Sequence, residues 1–243
     1  MRNFICLQLL VAATLTANAQ PSTPQIKSDE VERAVFRTKG ALVQEFDGRK
    51  QGVVGSPYIF ADWPIGTITL SDSQQVSIDW VYNINGETGQ LAAKNIKDGT
   101  LKGIFYNDII EIKLLDGIQT RTFRPIMLTN TYLMCEVLFD GPNFKLYKLN
   151  GKKFMKADYV ERGVVGVGRI NDEYVIEDSY WADMGKKSYL KLQATAKKLP
   201  DSIPTKKTII AKYIADKKLK GKLTANELYN IFLFLDDKAA AKQ

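Results

Sequence analysis

The sequence predicts a mainly antiparallel β protein, a barrel or a sandwich in the α+β class, finished by a C-terminal pair of short α-helices. Three observations carry that prediction. From about Gly66 to Leu192 apolar and polar residues alternate at period two, broken at regular spacing by turn residues. No helical run separates these strands, so neighbours pair antiparallel. Beyond Pro204 the period becomes that of an amphipathic helix.

The first nineteen residues stand apart from this body. Met1-Arg2-Asn3 is a short cationic start, Phe4 to Ala13 an almost unbroken apolar run, and Ala17-Asn18-Ala19 an A-x-A site for signal peptidase. The run is too short to span a hydrocarbon core of about 30 Å as a permanent helix. Cys6 lies inside it, far from the cleavage site and outside any lipobox. The expectation is therefore a signal peptide over residues 1–19, cleaved between Ala19 and Gln20, and export to the periplasm or beyond. Cleavage removes 19 of 243 residues and leaves 224, enough for one core without disulfide staples. Only Cys135 remains after it. No later apolar stretch reaches about 18 residues, so no transmembrane segment is expected after processing.

Residues 20–34, with Pro21 and Pro24, read as a flexible leader and residues 35–200 as the β-rich domain. Thr67 to Leu70 is a strand closed by Ser71-Asp72-Ser73. In the next, Val76, Ile78, Trp80, Tyr82 and Ile84 line one face, and Asn85-Gly86 turns the chain. Ile109 to Leu115 and Ile118 to Ile126 form a hairpin about Asp116-Gly117, a pair suited to a type I′ turn. Tyr132 to Phe139 and Phe144 to Leu149 form another about Asp140-Gly141-Pro142-Asn143. Tyr174 to Ala182 and Ser188 to Leu192 flank Met184-Gly185-Lys186 as a third. Residues 201–243 are a basic helical appendage. Its first helix carries Ile209, Ile210, Tyr213 and Ile214 on one face, with Thr205 as N-cap. Its second opens on the capping box Thr224-x-x-Glu227 and carries Leu228, Ile231, Phe232 and Leu235. Lys238 to Gln243 are expected to fray.

The segment Gly55-Ser56-Pro57-Tyr58, then Trp63-x-x-Gly66-x-Ile68-x-Leu70 and Tyr82-Asn83-Ile84, resembles a group of uncharacterised exported β-rich proteins of Bacteroidetes-type bacteria. The basic helical pair from Lys206 to Asp237 also fits that group. The resemblance implies export and a β-rich fold, and no activity or site residues. The chain departs from the group at Gly163 to Gly168, where a glycine-rich link stands.

The chemistry begins with an absence. There is no histidine, which removes Ser-His-Asp and Cys-His catalysis, histidine general bases and histidine-bearing zinc sites. Cys135 shares a strand face with Leu133, Val137 and Phe139 and reads as a small core residue. A carboxylate-dependent hydrolase needs only two acids, and Asp79, Glu111, Glu136 and Asp178 lie on strands that could converge. Asp72, Asp79 and the run Asn83-x-Asn85-Gly86-Glu87 offer oxygens without a full calcium-loop pattern. Gly163 to Arg169 lacks the order of a phosphate loop and reads as a flexible connection between strand pairs. No metal or cofactor is expected. Trp80 belongs to the core, whereas Trp63 and Trp181 stand near strand ends, where a ring could stack on a sugar; they are the candidate residues of a glycan- or ligand-binding domain.

Charge is the one unusual feature. The chain carries a formal net charge of +7, and Lys186 to Lys222 holds twelve lysines against two aspartates, a net +10. Such a patch attracts an anionic surface, lipopolysaccharide or an acidic glycan, and Lys217, Lys218, Lys220 and Lys222 crowd the link between the two helices. None of the twelve is an arginine, so specific nucleic-acid recognition is not expected. The leading expectation is a monomeric or weakly associating, exported, non-enzymatic cell-envelope or interaction protein using this basic tail.

Overall fold

The computed structural model describes residues 52–71, 75–76, 80–104, 106, 109–162, 165–185 and 188–240. Its backbone is an eight-stranded antiparallel sheet built from β2 (Gly66–Leu70), β3 (Gln75–Val76), β7 (Ile109–Asp116), β8 (Gln119–Leu128), β9 (Thr131–Asp140), β10 (Lys145–Leu149), β15 (Ser179–Asp183) and β16 (Tyr189–Leu192). The order is β16-β15-β10-β9-β8-β7-β2-β3, so β16 and β3 are edges and the sheet does not close into a barrel. The arrangement is sandwich-like.

One face of this sheet is covered by two different layers. Ile68, Ile112, Leu114, Phe123 and Met134 pack against Trp80, Tyr82, Ile84, Leu91, Ala93 and Ile104. The latter come from a three-stranded meander, β4 (Trp80–Ile84), β5 (Leu91–Asn95) and β6 (Leu101–Ile104). Its two turns share one design. Gly89 donates its N–H to Asn85 O and Gly99 donates to Asn95 O, at 2.7 and 3.0 Å, with φ +70° and +75° at the two glycines. Asn85 Oδ1 and Asn95 Oδ1 each accept the N–H two residues on. The ten-residue period of Asn85-Gly89-Leu91 and Asn95-Gly99-Leu101 is thus a structural repeat.

The other half of the same face carries Phe139, Phe144, Leu146, Tyr180, Ala182 and Leu192. Over it lie α1 (Leu199–Ser202), a 3₁₀ turn (Pro204–Lys206), α2 (Lys207–Asp216) and α3 (Ala225–Ala240). Leu199, Ile203, Ile210, Leu228, Ile231 and Phe232 are completely buried there, so the helices and the sheet share one core. Between the two apolar halves, the Arg121 guanidinium holds Glu136 through two bonds of 2.8 and 2.7 Å and stacks over Phe60 and Phe123.

A third sheet joins β1 (Val53–Val54), β14 (Asp172–Ile176) and β11 (Lys152–Met155), and its β1–β14 pair is parallel. The expected strand from Tyr174 to Ala182 is therefore two strands in different sheets. They separate at Glu177, whose N–H donates to Gly151 O at 2.9 Å. The strand expected from Val76 to Ile84 is likewise split between β3 in the large sheet and β4 in the meander; residues 77–79 lie outside the described residues.

Smaller corrections have local causes. Asp116 pairs with Gln119, so the hairpin turns on Gly117 (φ +62°) and Ile118 rather than on Asp116-Gly117. Positive φ at the first central position alone is the type II′ pattern. Where a plain connection was expected, β12 (Val160–Arg162) pairs antiparallel with β13 (Val165–Val167). A register shift opposite Leu146 and Tyr147 sets Phe139 on the face opposite Val137 and Cys135. Thr205 lies inside the 3₁₀ turn, and α2 starts after Lys206 with no side-chain cap. Lys238 and the residues to Ala240 are helical rather than frayed. Residues 1–51, which include the expected signal peptide and leader, lie outside the described residues.

Candidate anionic-surface site

The link between α2 and α3 is held at both ends by backbone geometry. At the end of α2, Leu219 donates its N–H to Ile214 O and Lys218 donates to Ala215 O, each at 3.0 Å. This pairing is a Schellman stop, with Leu219 packed in the cluster that contains Ile214. Lys218 takes the left-handed position, φ +54°, that glycine ordinarily fills. At the start of α3 the expected capping box is present. Thr224 donates its N–H to Glu227 Oε2 at 2.7 Å, and Glu227 returns its N–H to Thr224 Oγ1 at 3.2 Å. The Thr224 N–H holds the Glu227 carboxyl below its ordinary range.

Between these stops the link runs beside the chain that enters α1. Leu223 N–H donates to Ala194 O and Ala196 N–H to Gly221 O, both at 2.9 Å, and Thr195 bridges Lys222 antiparallel. The bridge brings Lys197 and Lys198 alongside Lys220 and Lys222. Lys197, Lys198, Lys217, Lys218, Lys220 and Lys222 are all exposed, and among the described residues none is ion-paired. The nearby Asp201 is occupied by Lys207 at 2.8 Å. Other lysines of the basic stretch are engaged differently: Lys206 lies over Phe144 and Lys191 over Trp181. Lys186 and Lys187 lie outside the described residues. Part of the lysine content serves the fold, because cations at the end of α2 complement its dipole.

The two candidate tryptophans do not meet. Trp63 precedes β2 and Trp181 sits on β15, five strands away, roughly 24 Å at about 4.8 Å per strand. Trp63 packs against Tyr58, ring centroids 5.0 Å apart. Trp181 donates its Nε1–H to Ser179 Oγ at 3.1 Å, packs against the Cys135 cluster and carries Lys191 Nζ 5.8 Å over its ring. Both rings are half-buried.

The three candidate carboxylates among the described residues, Glu111, Glu136 and Asp178, each hold a cation. Glu111 joins Lys113 and Arg124 in a strip that continues through Asp140 to Lys145, across β7, β8, β9 and β10. Glu136 holds Arg121, and Asp178 holds Lys148 at 2.8 Å. Burial opposes the Glu136 charge, but the Arg121 bonds outweigh it and keep the carboxyl below its ordinary range. Asp79 and Asp72 lie outside the described residues. Asn83 Oδ1 accepts from Phe60 and Ile84 and its Nδ2 donates to Phe60 O and Asp62 O, so this buried amide pins a loop to β4. Among the described residues no cluster of His, Cys, Asp or Glu could hold a metal ion.

No family model, curated protein or solved structure matches this chain.

Cys135 is completely buried with Ile126, Leu128 and Tyr147, and burial pushes its thiol up to about 12. A thiol held there is a poor nucleophile. A small depression between Tyr58, Asn85, Leu91 and Lys102 is lined by no carboxylate and no cysteine. Among the described residues no helix is long and apolar enough to cross a membrane. Lys197 and Lys198 are the site residues that spacing could not assign, because only the backbone bridge sets them beside the link.

Proposed function

We propose that this chain is an exported, non-enzymatic interaction or cell-envelope protein that uses its lysine corner to hold an anionic surface, lipopolysaccharide or an acidic glycan. One observation carries the reading: unpaired, exposed ammonium groups are concentrated on two chain segments zipped together by backbone hydrogen bonds. A fixed frame concentrates charge without the ordering cost that a free basic tail pays on binding. Among the described residues the candidate carboxylates Glu111, Glu136 and Asp178 are each in an ion pair, which removes support from a hydrolase reading.

The test is retention on immobilised lipopolysaccharide, anionic polysaccharide and DNA at low and moderate salt. Binding by exposed lysines is screened over about 8 Å at physiological ionic strength, so retention should fall steeply as salt rises. Replacing Lys217, Lys218, Lys220 and Lys222 together by Gln should weaken it without unfolding the chain. No retention at low salt, or full retention by the quadruple variant, refutes the reading. Export is tested separately: mass spectrometry of the secreted form should find Gln20 at the N-terminus, and a retained Met1 overturns that part.

A further inference from the structure

The lysine corner has two arms, and only one of them is the inter-helix link. We infer that Lys197 and Lys198 belong to the same binding surface as Lys217, Lys218, Lys220 and Lys222, and that its partner is a phosphate-bearing anionic lipid surface. The inference rests on the anionic-surface reading above and narrows it.

The first part follows from the backbone. Ala196 N–H reaches Gly221 O at 2.9 Å and Thr195 bridges Lys222, so the residues that follow Ala196 stand beside those that precede Gly221. Those residues are Lys197 and Lys198 on one side and Lys220 on the other. The helical turn of α1 begins at once after Lys198 and fixes this arm; Lys198 N–H donates to Thr195 O at 3.1 Å. Six like charges held this close repel one another, which costs stability and is offset when a dense anionic array is met.

The second part follows from what the corner lacks. The lysines that lie over rings among the described residues, Lys102, Lys191, Lys206 and Lys238, are not among these six. Among the described residues, therefore, none of the six ammonium groups is set over an aromatic ring, whereas single-stranded nucleic acid and sugar rings favour a stacking face beside the charge. It has no arginine fork for bidentate phosphate recognition. Multiple compact point charges on short, exposed segments suit a planar, closely spaced field of headgroup phosphates. Basic residues beside such a surface contribute about fivefold each in partition, the equivalent of about 1 kcal/mol.

The experiment measures partition of the full chain into vesicles of phosphatidylglycerol with phosphatidylcholine, against phosphatidylcholine alone, and binding to polygalacturonate at the same salt. The double variant Lys197→Gln/Lys198→Gln should lower vesicle partition on the order of 25-fold, with unchanged urea unfolding. A control pair on β11 and just beyond it, Lys153→Gln/Lys156→Gln, should change it by less than about twofold. If the double variant partitions like the native chain while the quadruple link variant does not, the second arm is refuted and the anionic-surface reading survives. If polygalacturonate is bound and the anionic vesicles are not, the lipid assignment is overturned. If neither is bound at low salt, the inference and the reading beneath it fall together.

Discussion

The Asp236 carboxylate, in the penultimate turn of α3, accepts the backbone N–H of Asn143 at 2.9 Å and that of Phe144 at 3.2 Å. Ninety-three residues separate Asp236 from Asn143, yet Asp236 is only 8% exposed. The contact ties the last helix to the turn between β9 and β10. Gly141 makes room for it, because a Cβ there would come within 2.8 Å of Asp236 Cγ. The helices that carry the lysine corner are thereby locked to the sheet.

Replacing Asp236 by Ala leaves the buried Phe144 N–H and the half-buried Asn143 N–H without their acceptor. The expected cost is about 2–3 kcal/mol, read from urea unfolding. Asp236→Asn keeps an oxygen acceptor and should cost less. Because helices and strands share the Phe139 to Leu235 cluster, far-UV and near-UV signals should shift together. A helical signal lost first, with the sheet intact, would contradict a shared core.

A second expectation concerns the thiol. Native protein should resist thiol reagents at neutral pH and react fully after denaturation, because Cys135 is buried and its thiol is pushed up to about 12. Cys135→Ser should destabilise by about 1–3 kcal/mol through burial of an unpartnered hydroxyl. Rapid labelling of folded protein would place the residue on the wrong face of β9, since a one-residue slip exchanges the faces.

Much of the fold was legible because it is written locally. The Thr224–Glu227 capping box, the Ile210–Ile214 face and the hairpin between β9 and β10 depend on residues a few positions apart. What was hidden depends on which sheet a strand joins. Val76 and Trp80 share parity, so two strands in different sheets read as one. The turn between β8 and β9 carries no glycine; Thr129 and Asn130 themselves take φ +47° and +67°. The Asn85 turn is marked by the dipeptide Asn85-Gly86, whereas its repeat at Asn95 is followed by Ile96 and carries no such mark. Lys197 and Lys198 were counted in the basic stretch, but their place beside Lys222 is tertiary. So are the ion pairs that occupy Glu111, Glu136 and Asp178.

Glu136 gives a pH dependence. Its carboxyl lies below the ordinary range in the folded chain because of Arg121, against an opposing burial cost. The pair's contribution is therefore full above the unfolded carboxylate value, about 4.3, and is lost as pH falls through the lower folded value. Stability should decline with acid over that window, and Glu136→Gln should flatten part of the decline. At neutral pH the same variant removes the nearer of the two anions of Arg121, whose side chain is 22% exposed, and leaves it Asp116 at 3.3 Å. About 1.5–3 kcal/mol should then be lost, the range for hydrogen bonds between charged groups. An unchanged acid limb in Glu136→Gln would assign the dependence to the exposed strip on the other face, Asp140 among it.

Lys218 sets stability against binding. It occupies the left-handed position of the Schellman stop at φ +54°, where a residue with a Cβ pays a steric cost of about 1 kcal/mol or more that glycine avoids. Its side chain is exposed and among the described residues makes no ion pair that would offset that cost. Lys218→Gly should therefore raise unfolding free energy by about 0.5–1 kcal/mol, once the greater freedom of glycine in the unfolded chain is allowed for. The same change removes one ammonium from the corner and should weaken partition into phosphatidylglycerol vesicles about fivefold. Opposite signs in the two measurements are what a charge held in place for binding requires. A stabilised variant that binds as well as the native chain would show that Lys218 contributes nothing to the surface, and a destabilised one would refute the stop itself.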